Sequence, residues 1–269
     1  MDHEIARAVA RVVSAVETPD LGWALDALVA GSCTFDMSCV FAFHPASMPV
    51  LVHDGYSAET SREALRSYLR GGYLLDPFYV AVVEEREGLW RMSRLAPDEF
   101  FASDFAASAA IHPCISDQAG TLVEEVGFVL TLEDGWGAVY SLMRNRTSTR
   151  FSEEEMATLC GMAPVVEAAL RKHWPAVAPG AVSRGESGIR TALQHAFGET
   201  LTPAQFRIVE LILRGHSGRS IAQELHITEG TVKLHRHNAY QRLGISSQSD
   251  LFRLFLDHLG STPGAPPPR

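Results

Sequence analysis

Leu201-Thr202-Pro203-Ala204-Gln205-Phe206, then Ser217-Gly218-Arg219-Ser220-Ile221-Ala222, then Thr228-Glu229-Gly230-Thr231-Val232-Lys233-Leu234-His235, carry the punctuation of short helices in series. Thr202 suits an N-cap, Pro203 the first helical position, and Gln205 the place from which a side chain reaches back to the cap N–H. Phe206, Val209, Ile212 and Leu213 recur at helical spacing until Gly215, a residue that takes the left-handed conformation ending a helix. Ser217 caps a second, short helix carrying Ile221, Ala222 and Leu225. After a turn at His226-Ile227, Thr228 caps a third helix running from about Glu229 to Arg242, and Gly244 closes it. A fourth carries Leu251, Leu254, Phe255 and Leu259. In the third helix Val232, Ala239 and Leu243 form the expected buried stripe, while Gly230, Lys233, Leu234, His237 and Gln241 project from the opposite face.

Charge separates two readings of such a helical unit, one that enters a nucleic-acid groove and one that binds protein. From Arg190 to Arg253, eight Lys/Arg stand against five Asp/Glu, a net of +3 within a total of −9, so the remainder carries −12. That balance excludes a nonspecific polycation and concentrates any nucleic-acid contact on the helical end. His195, His216, His226, His235 and His237 add positive charge there if their pKa values rise. Thr228, Thr231 and the N-terminal amides of the third helix suit phosphate oxygens, because a helix start presents unpaired donors and a positive dipole end. Lys233 either reaches guanine or neutralises a phosphate; Leu234 and His237 share its face as candidates for base contact. Arg236 and Arg242 are expected on the backbone, where they add affinity without sequence information. His235, beside the apolar stripe, reads equally as structural.

The spacing resembles the LuxR-type helix-turn-helix shared by LuxR, FixJ and GerE regulators. The resemblance rests on Glu229-Gly230-Thr231-Val232-Lys233-Leu234-His235, Leu243-Gly244-Ile245-Ser246 and the opening Leu201-Thr202-Pro203. It implies a sequence-specific transcriptional regulator, not an enzyme, that binds double-stranded DNA as a homodimer on a pseudo-palindromic site. The fourth helix has more apolar side chains than four helices easily bury, so a dimer contact is expected there. Two departures stand out: Ala204-Gln205 replaces a Glu-containing pair, and Gly218-Arg219-Ser220 replaces Asn-Lys-Glu. Ser220 therefore cannot complete a capping box with Ser217, a loss of about 0.5–2 kcal/mol that weakens the second helix locally without abolishing the fold.

The fold class expected for the whole chain is α+β. Its 269 residues with 46% hydrophobic content suffice for one sizeable core and a small helical domain. The expected division is a sensor domain at 1–174, a linker at 175–194, the helix-turn-helix domain at 195–260 and a disordered tail at 261–269. The linker begins in the Pro/Gly/Ala/Ser-rich run from Pro175 to Gly188. Helices are expected over Ile5–Val16, marked by Ile5, Val9, Val12, Val13 and Val16, over Leu21–Val29, and from about Ala58 to Arg70. Strands are expected at Ser38–Phe43 and Pro49–Val52, and a hairpin joins Gly127–Leu132 to Gly137–Met143 through Glu133-Asp134-Gly135. Phe151-Ser152 with Glu155 opens a long last helix with a capping box and a hydrophobic staple. Helices flanking an antiparallel sheet resemble PAS/GAF-like sensory domains, an α/β/α arrangement.

A narrower resemblance lies between Tyr68 and Trp90. Tyr68, Tyr73, Asp76-Pro77 and Trp90 are similar to the pattern of quorum-sensing receptors of the LuxR type, where Tyr and Trp line a pocket and the Asp accepts from the signal's amide. Ala64 stands where a tryptophan is expected and the Asp76–Trp90 interval is short by about one residue, departures that fit a small-molecule effector other than an acyl-homoserine lactone, as in the LuxR solos. Asp76-Pro77 reads equally as a helix start. The other reading of the N-terminal region is a protein-interaction or dimerisation module with no small ligand. Lys at only Lys172 and Lys233 argues against a phosphorylated receiver, and no Gly-rich phosphate loop, nucleophile elbow or metal-ligand spacing points to an enzyme, a cofactor or a metal. His112-Pro113-Cys114 is read as structural. Cys33, Cys39, Cys114 and Cys160 lack CxxC spacing and are expected as reduced, largely buried thiols of a cytoplasmic protein. No apolar run approaches the about 18 residues that span a bilayer.

Overall fold

The computed structural model describes residues 3–56, 62–101, 122–145, 148–178 and 189–261. Two compact units divide the chain. One draws on Met1–Thr60, Pro77–Leu95 and Ser116–Gly185, the other on Ser61–Asp76, Ala96–Ile115 and Glu186–Arg269. His112 and Cys114 lie outside the described residues, as does the tail beyond Ser261.

The first unit is built on five antiparallel strands in the order β2-β1-β5-β4-β3: β1 Met37–His44, β2 Ser47–Gly55, β3 Gly88–Arg91, β4 Leu122–Thr131 and β5 Gly137–Asn145. The hairpin expected from Glu133-Asp134-Gly135 joins β4 to β5, with Thr131 opposite Gly137 and both Asp134 and Gly135 at positive φ. Alternation then separates two faces. Val40, Ala42, Val126, Phe128, Tyr140 and Leu142 join one core with α1 (His3–Ala15), α2 (Leu21–Ala30) and α6 (Glu153–Val177). Phe43, on the other face, meets Tyr79 of α4 (Pro77–Val83) at 5.7 Å between ring centroids. A Cβ on Gly127 would come within 2.7 Å of the Phe78 ring of the same helix, so a side chain there is excluded by packing. The expected architecture, an antiparallel sheet flanked by helices, is present.

Several local expectations change. α1 turns Ala8, Val12 and Ala15 inward and leaves Ile5 and Val13 exposed, because the two alanines allow close approach to α2 and α6. Short elements escape sequence periodicity: β3 has four residues, as does α5 (Met92–Leu95). α6 opens with the expected capping box, the Ser152 hydroxyl accepting from Glu155 N–H at 3.1 Å and the Glu155 carboxylate accepting from Ser152 N–H at 2.7 Å. It continues through Pro175 to Val177, past the expected start of the linker, because buried Trp174 packs on Trp136 at 5.0 Å and holds the last turn. Cys160 is exposed, not buried, on the outer side of α6, whereas Cys33 and Cys39 are buried.

In the second unit α3 (Arg62–Arg70) and a 3-10 turn (Gly72–Leu75) accompany five further helices: α7 Ile189–Phe197, α8 Pro203–Leu213, α9 Gly218–Glu224, α10 Glu229–Leu243 and α11 Gln248–Ser261. The four helices expected between Leu201 and Leu256 are α8 to α11. α7 begins inside the expected linker, and it changes the reading of α11. Leu251, Phe252 and Phe255 are fully buried, with Phe255 against Phe197 of α7 at 6.3 Å, so Leu251 and Phe255 belong to the core of this unit and are not available for a dimer contact, whereas Leu254 is half-buried. The count that suggested one omitted the helix that covers them.

Candidate nucleic-acid interface and sensor residues

The starts of α8, α9 and α10 and the end of α10 each carry a residue that local chemistry favours there. Thr202 and Gln205 form a reciprocal capping box on α8, and Gly215 follows that helix at φ +89°. On α9 the Ser217 hydroxyl accepts from Ser220 N–H at 3.0 Å. On α10 the Thr228 hydroxyl accepts from Thr231 N–H at 3.1 Å, and Gly244 ends the helix in the left-handed region. Val232 and Ala239 are buried and turn toward α8 and α9, while Leu243 is only half-buried.

The opposite face of α10 meets solvent. Lys233, Leu234, Arg236, His237 and Arg242 are exposed, as are Thr228, Glu229 and Gly230 at the helix start. Leu234 leaves 58% of its surface in water. Thr231 is half-buried, its hydroxyl 2.9 Å from that of Thr228, so both threonine oxygens are engaged at the cap. The Glu229 and Gly230 amides precede Val232, whose N–H bonds to the Thr228 carbonyl; they are the donors a phosphate would meet. Arg242 Nη1 donates to the Thr200 carbonyl at 3.3 Å, and His235 is half-buried. Burial pushes the Tyr240 phenol up to about 12, so it stays neutral behind this surface.

Not all the basic residues counted in the sequence serve this face. Glu210, 1% exposed, holds Arg207 at 2.6 Å and Arg214 at 3.0 Å, and Arg253 pairs with Asp250 at 2.7 Å. Arg219, Lys233 and Arg236 remain exposed. His216 does not add charge: burial lowers its pKa, and its Nδ1 lies 2.8 Å from the Ser220 hydroxyl.

Of the expected ligand residues, three come together in the second unit. Tyr68, Tyr73 and Asp76 are buried; the Tyr68 hydroxyl donates to Asp76 Oδ2 at 2.7 Å, and the two tyrosine rings meet edge to face at 6.4 Å. α4 starts at Pro77, as the helix-start reading of Asp76-Pro77 requires. Trp90 belongs to the first unit, half-buried on β3, and its indole N–H donates to the carbonyls of Arg86 at 3.1 Å and Glu87 at 3.2 Å. Its polar tip is thus spent on its own turn.

Comparison with known proteins places these features. The GerE model, which describes bacterial regulatory proteins of the luxR family, matches residues 199–255. An HTH-type transcriptional regulator of the exeN 3' region of Aeromonas salmonicida is 34% identical over 154 residues, which are 54% of this chain and 79% of that protein. The chain belongs to the LuxR family. The second similarity is longer than the helix-turn-helix and all that follows it, so it takes in part of the N-terminal region. With the transcriptional regulatory protein MctR of Rhizobium johnstonii the likeness is confined to 60 residues at 42% identity, 22% of this chain and 28% of MctR. The crystal structure of the VqsR LBD domain from Pseudomonas aeruginosa has a TM-score of 0.53 at 20% identity, covering 64% of this chain and 96% of that one, a likeness of fold.

Two groups in this LuxR-family chain had no signal in the sequence. Asp26 of α2 accepts from the Tyr140 hydroxyl at 2.7 Å and the Ser38 hydroxyl at 2.8 Å, and lies 2.9 Å from His53 Nε2. These residues come from four elements, and only the folded sheet brings them together. Asp98, the other, reaches the N-terminus of α9.

Proposed function

We propose that this LuxR-family regulator reads double-stranded DNA with the outward face of α10, binds as a homodimer on a pseudo-palindromic site, and is controlled by a small molecule in its N-terminal region. The observation that carries the DNA reading is the capped α10, buried through Val232 and Ala239, with Lys233, Leu234, Arg236 and His237 together in solvent. Thr228 and Thr231 hold the helix start whose amides meet phosphate, Lys233 and His237 face base edges, Leu234 suits a thymine methyl, and Arg236 and Arg242 flank the backbone. A division into sensing over 1–174 and DNA binding over 195–260 is part of the same reading, as is a cytoplasmic location; the expected linker at 175–194 is shortened by α6 to Val177 and by α7 from Ile189. Among the described residues no helix is long and apolar enough to cross a membrane.

The ligand reading is supported by a carboxylate and two phenols, Asp76, Tyr68 and Tyr73, clustered out of water; recognition sites pair apolar walls with a few fixed polar groups. Trp90 is retained in the reading only as an apolar ring, because its N–H is already used. A dimer is supported by the large apolar side chains that the first unit leaves in solvent, Val13 at 67% and Trp23 at 58%.

Gel-shift titration tests the DNA reading, using a duplex that the wild-type chain recovers from a randomised pool. Lys233→Ala is expected to weaken binding by about 5- to 100-fold if Lys233 reads a base. Equal affinity of variant and wild type across a salt series contradicts the docking. For the ligand, the full chain is screened by thermal shift against lactones and other small amphipathic metabolites. A stabilising compound should lose its effect with Asp76→Asn; retention of the full shift removes Asp76 from the site.

A further inference from the structure

The N-terminus of α9 is completed by a residue far away in sequence. Ser217 accepts from Ser220 N–H, which is one half of a capping box. The other half needs a carboxylate or carboxamide oxygen to accept from Ser217 N–H, and Ser220 at the third helical position has neither. Asp98 provides it: Oδ1 accepts from Ser217 N–H at 2.9 Å and Oδ2 from the Ser217 hydroxyl at 2.5 Å, across 119 residues of chain. Its neighbours dock on the same corner. Glu99 N–H donates to the Gly215 carbonyl at 3.1 Å, and Phe100, 1% exposed, lies so close that a Cβ on Gly215 would sit 3.0 Å from its Cα. Gly215 therefore serves two needs, its positive φ and this approach. Although burial acts to raise it, the bonds from Ser217 hold the Asp98 carboxyl below the usual range, as a charged cap requires. All these residues lie in the second unit.

We propose that Asp98 is a positioning residue of the helix-turn-helix, supplying the capping oxygen that α9 lacks, and that through it the docking of residues 98–100 on the start of α9 is coupled to DNA binding. α9 packs on α10, so the order of its first turn sets how firmly the recognition helix is held. The inference rests on the reading of α10 as the DNA-reading helix.

The test uses the full chain in three forms: wild type, Asp98→Ala, and Asp98→Ala with Ser220→Glu, which restores the carboxylate locally. Hydrogen exchange of residues 217–224 is followed without DNA, and affinity is measured for the duplex recovered by the wild type. Asp98→Ala is expected to speed exchange in α9, and to weaken duplex binding, by about five- to tenfold, the scale of one lost cap. Ser220→Glu should return both to near wild type. Unchanged α9 exchange in Asp98→Ala overturns the proposal, as does a rise in exchange that Ser220→Glu leaves in place. Exchange that rises and is rescued while affinity stays constant overturns the coupling. If the wild-type chain recovers no duplex at all, the DNA reading itself fails, and the exchange comparison alone decides the cap.

Discussion

Arg144 is a cation with 3% of its side chain exposed, and Glu155 is the residue that makes this tolerable. The pair is bidentate, at 2.6 and 3.2 Å, and the guanidinium also covers the Phe151 ring and donates to the Thr34 carbonyl. The bonds from Arg144 first, and the Ser152 amide next, lower the Glu155 carboxyl from 4.5 to about 2. A depressed carboxylate contributes stability that is fully present above its unfolded pKa and lost as pH falls through the folded one. Glu155→Gln, which keeps the capping oxygen and removes the charge, should thus lower the unfolding free energy read from urea denaturation at pH 7 by about 2–3 kcal/mol for a partly buried pair. The difference from wild type should shrink as pH falls from about 4.5 toward 2; a constant difference across that range assigns the loss to packing. Residues of this kind divide by legibility. Thr202, Ser217, Thr228 and Ser152 were readable because a cap acts on amides three residues on. Asp98 and the Asp26–Tyr140 pair were not, because their partners are set by tertiary structure alone.

At the scale of elements, α10 shows how short-range rules specify a helix whose faces differ. Its start is set by Thr228, its end by Gly244 at φ +67°, and nothing lies within 4 Å of where a Cβ on Gly244 would project. Gly244→Ala is therefore a test of backbone strain without steric clash, and should cost about 1 kcal/mol, read as a lower thermal midpoint. No loss would mean that the helix ends differently. Long, capped, periodic elements were legible for the same reason: α6, α8 and α10 each announce their first turn. β3 was not, since four residues carry no period. α7 was hidden by the Pro/Gly-rich run before it, and without Leu193 and Phe197 the apolar side of α11 looked like an interface instead of a core.

Across the whole molecule, the net charge of −9 is compatible with the proposed DNA-reading surface because exposed positive charge is gathered locally. Lys233 and Arg236 on α10 and Arg219 on α9 stay exposed, while Arg207 and Arg214 are held by Glu210. Binding should accordingly fall with salt, the log–log slope losing about one unit for each phosphate-contacting cation removed. The helix-turn-helix was legible in the sequence because its chemistry is local; the proposed ligand residues were less so, since Tyr68 and Asp76 meet only after folding and Trp90 spends its donor on its own turn. The central claim, that the outer face of α10 enters a DNA groove, is tested most directly by photo-crosslinking. A benzophenone side chain is placed at Leu234, with exposed Ala157 on α6 as the control position, and the full chain is irradiated on the duplex it recovers from a random pool. Crosslinks from position 234 to bases near the centre of each half-site, with none from position 157, are the predicted result. Absence of crosslinks from position 234 on a duplex that is demonstrably bound would contradict the account.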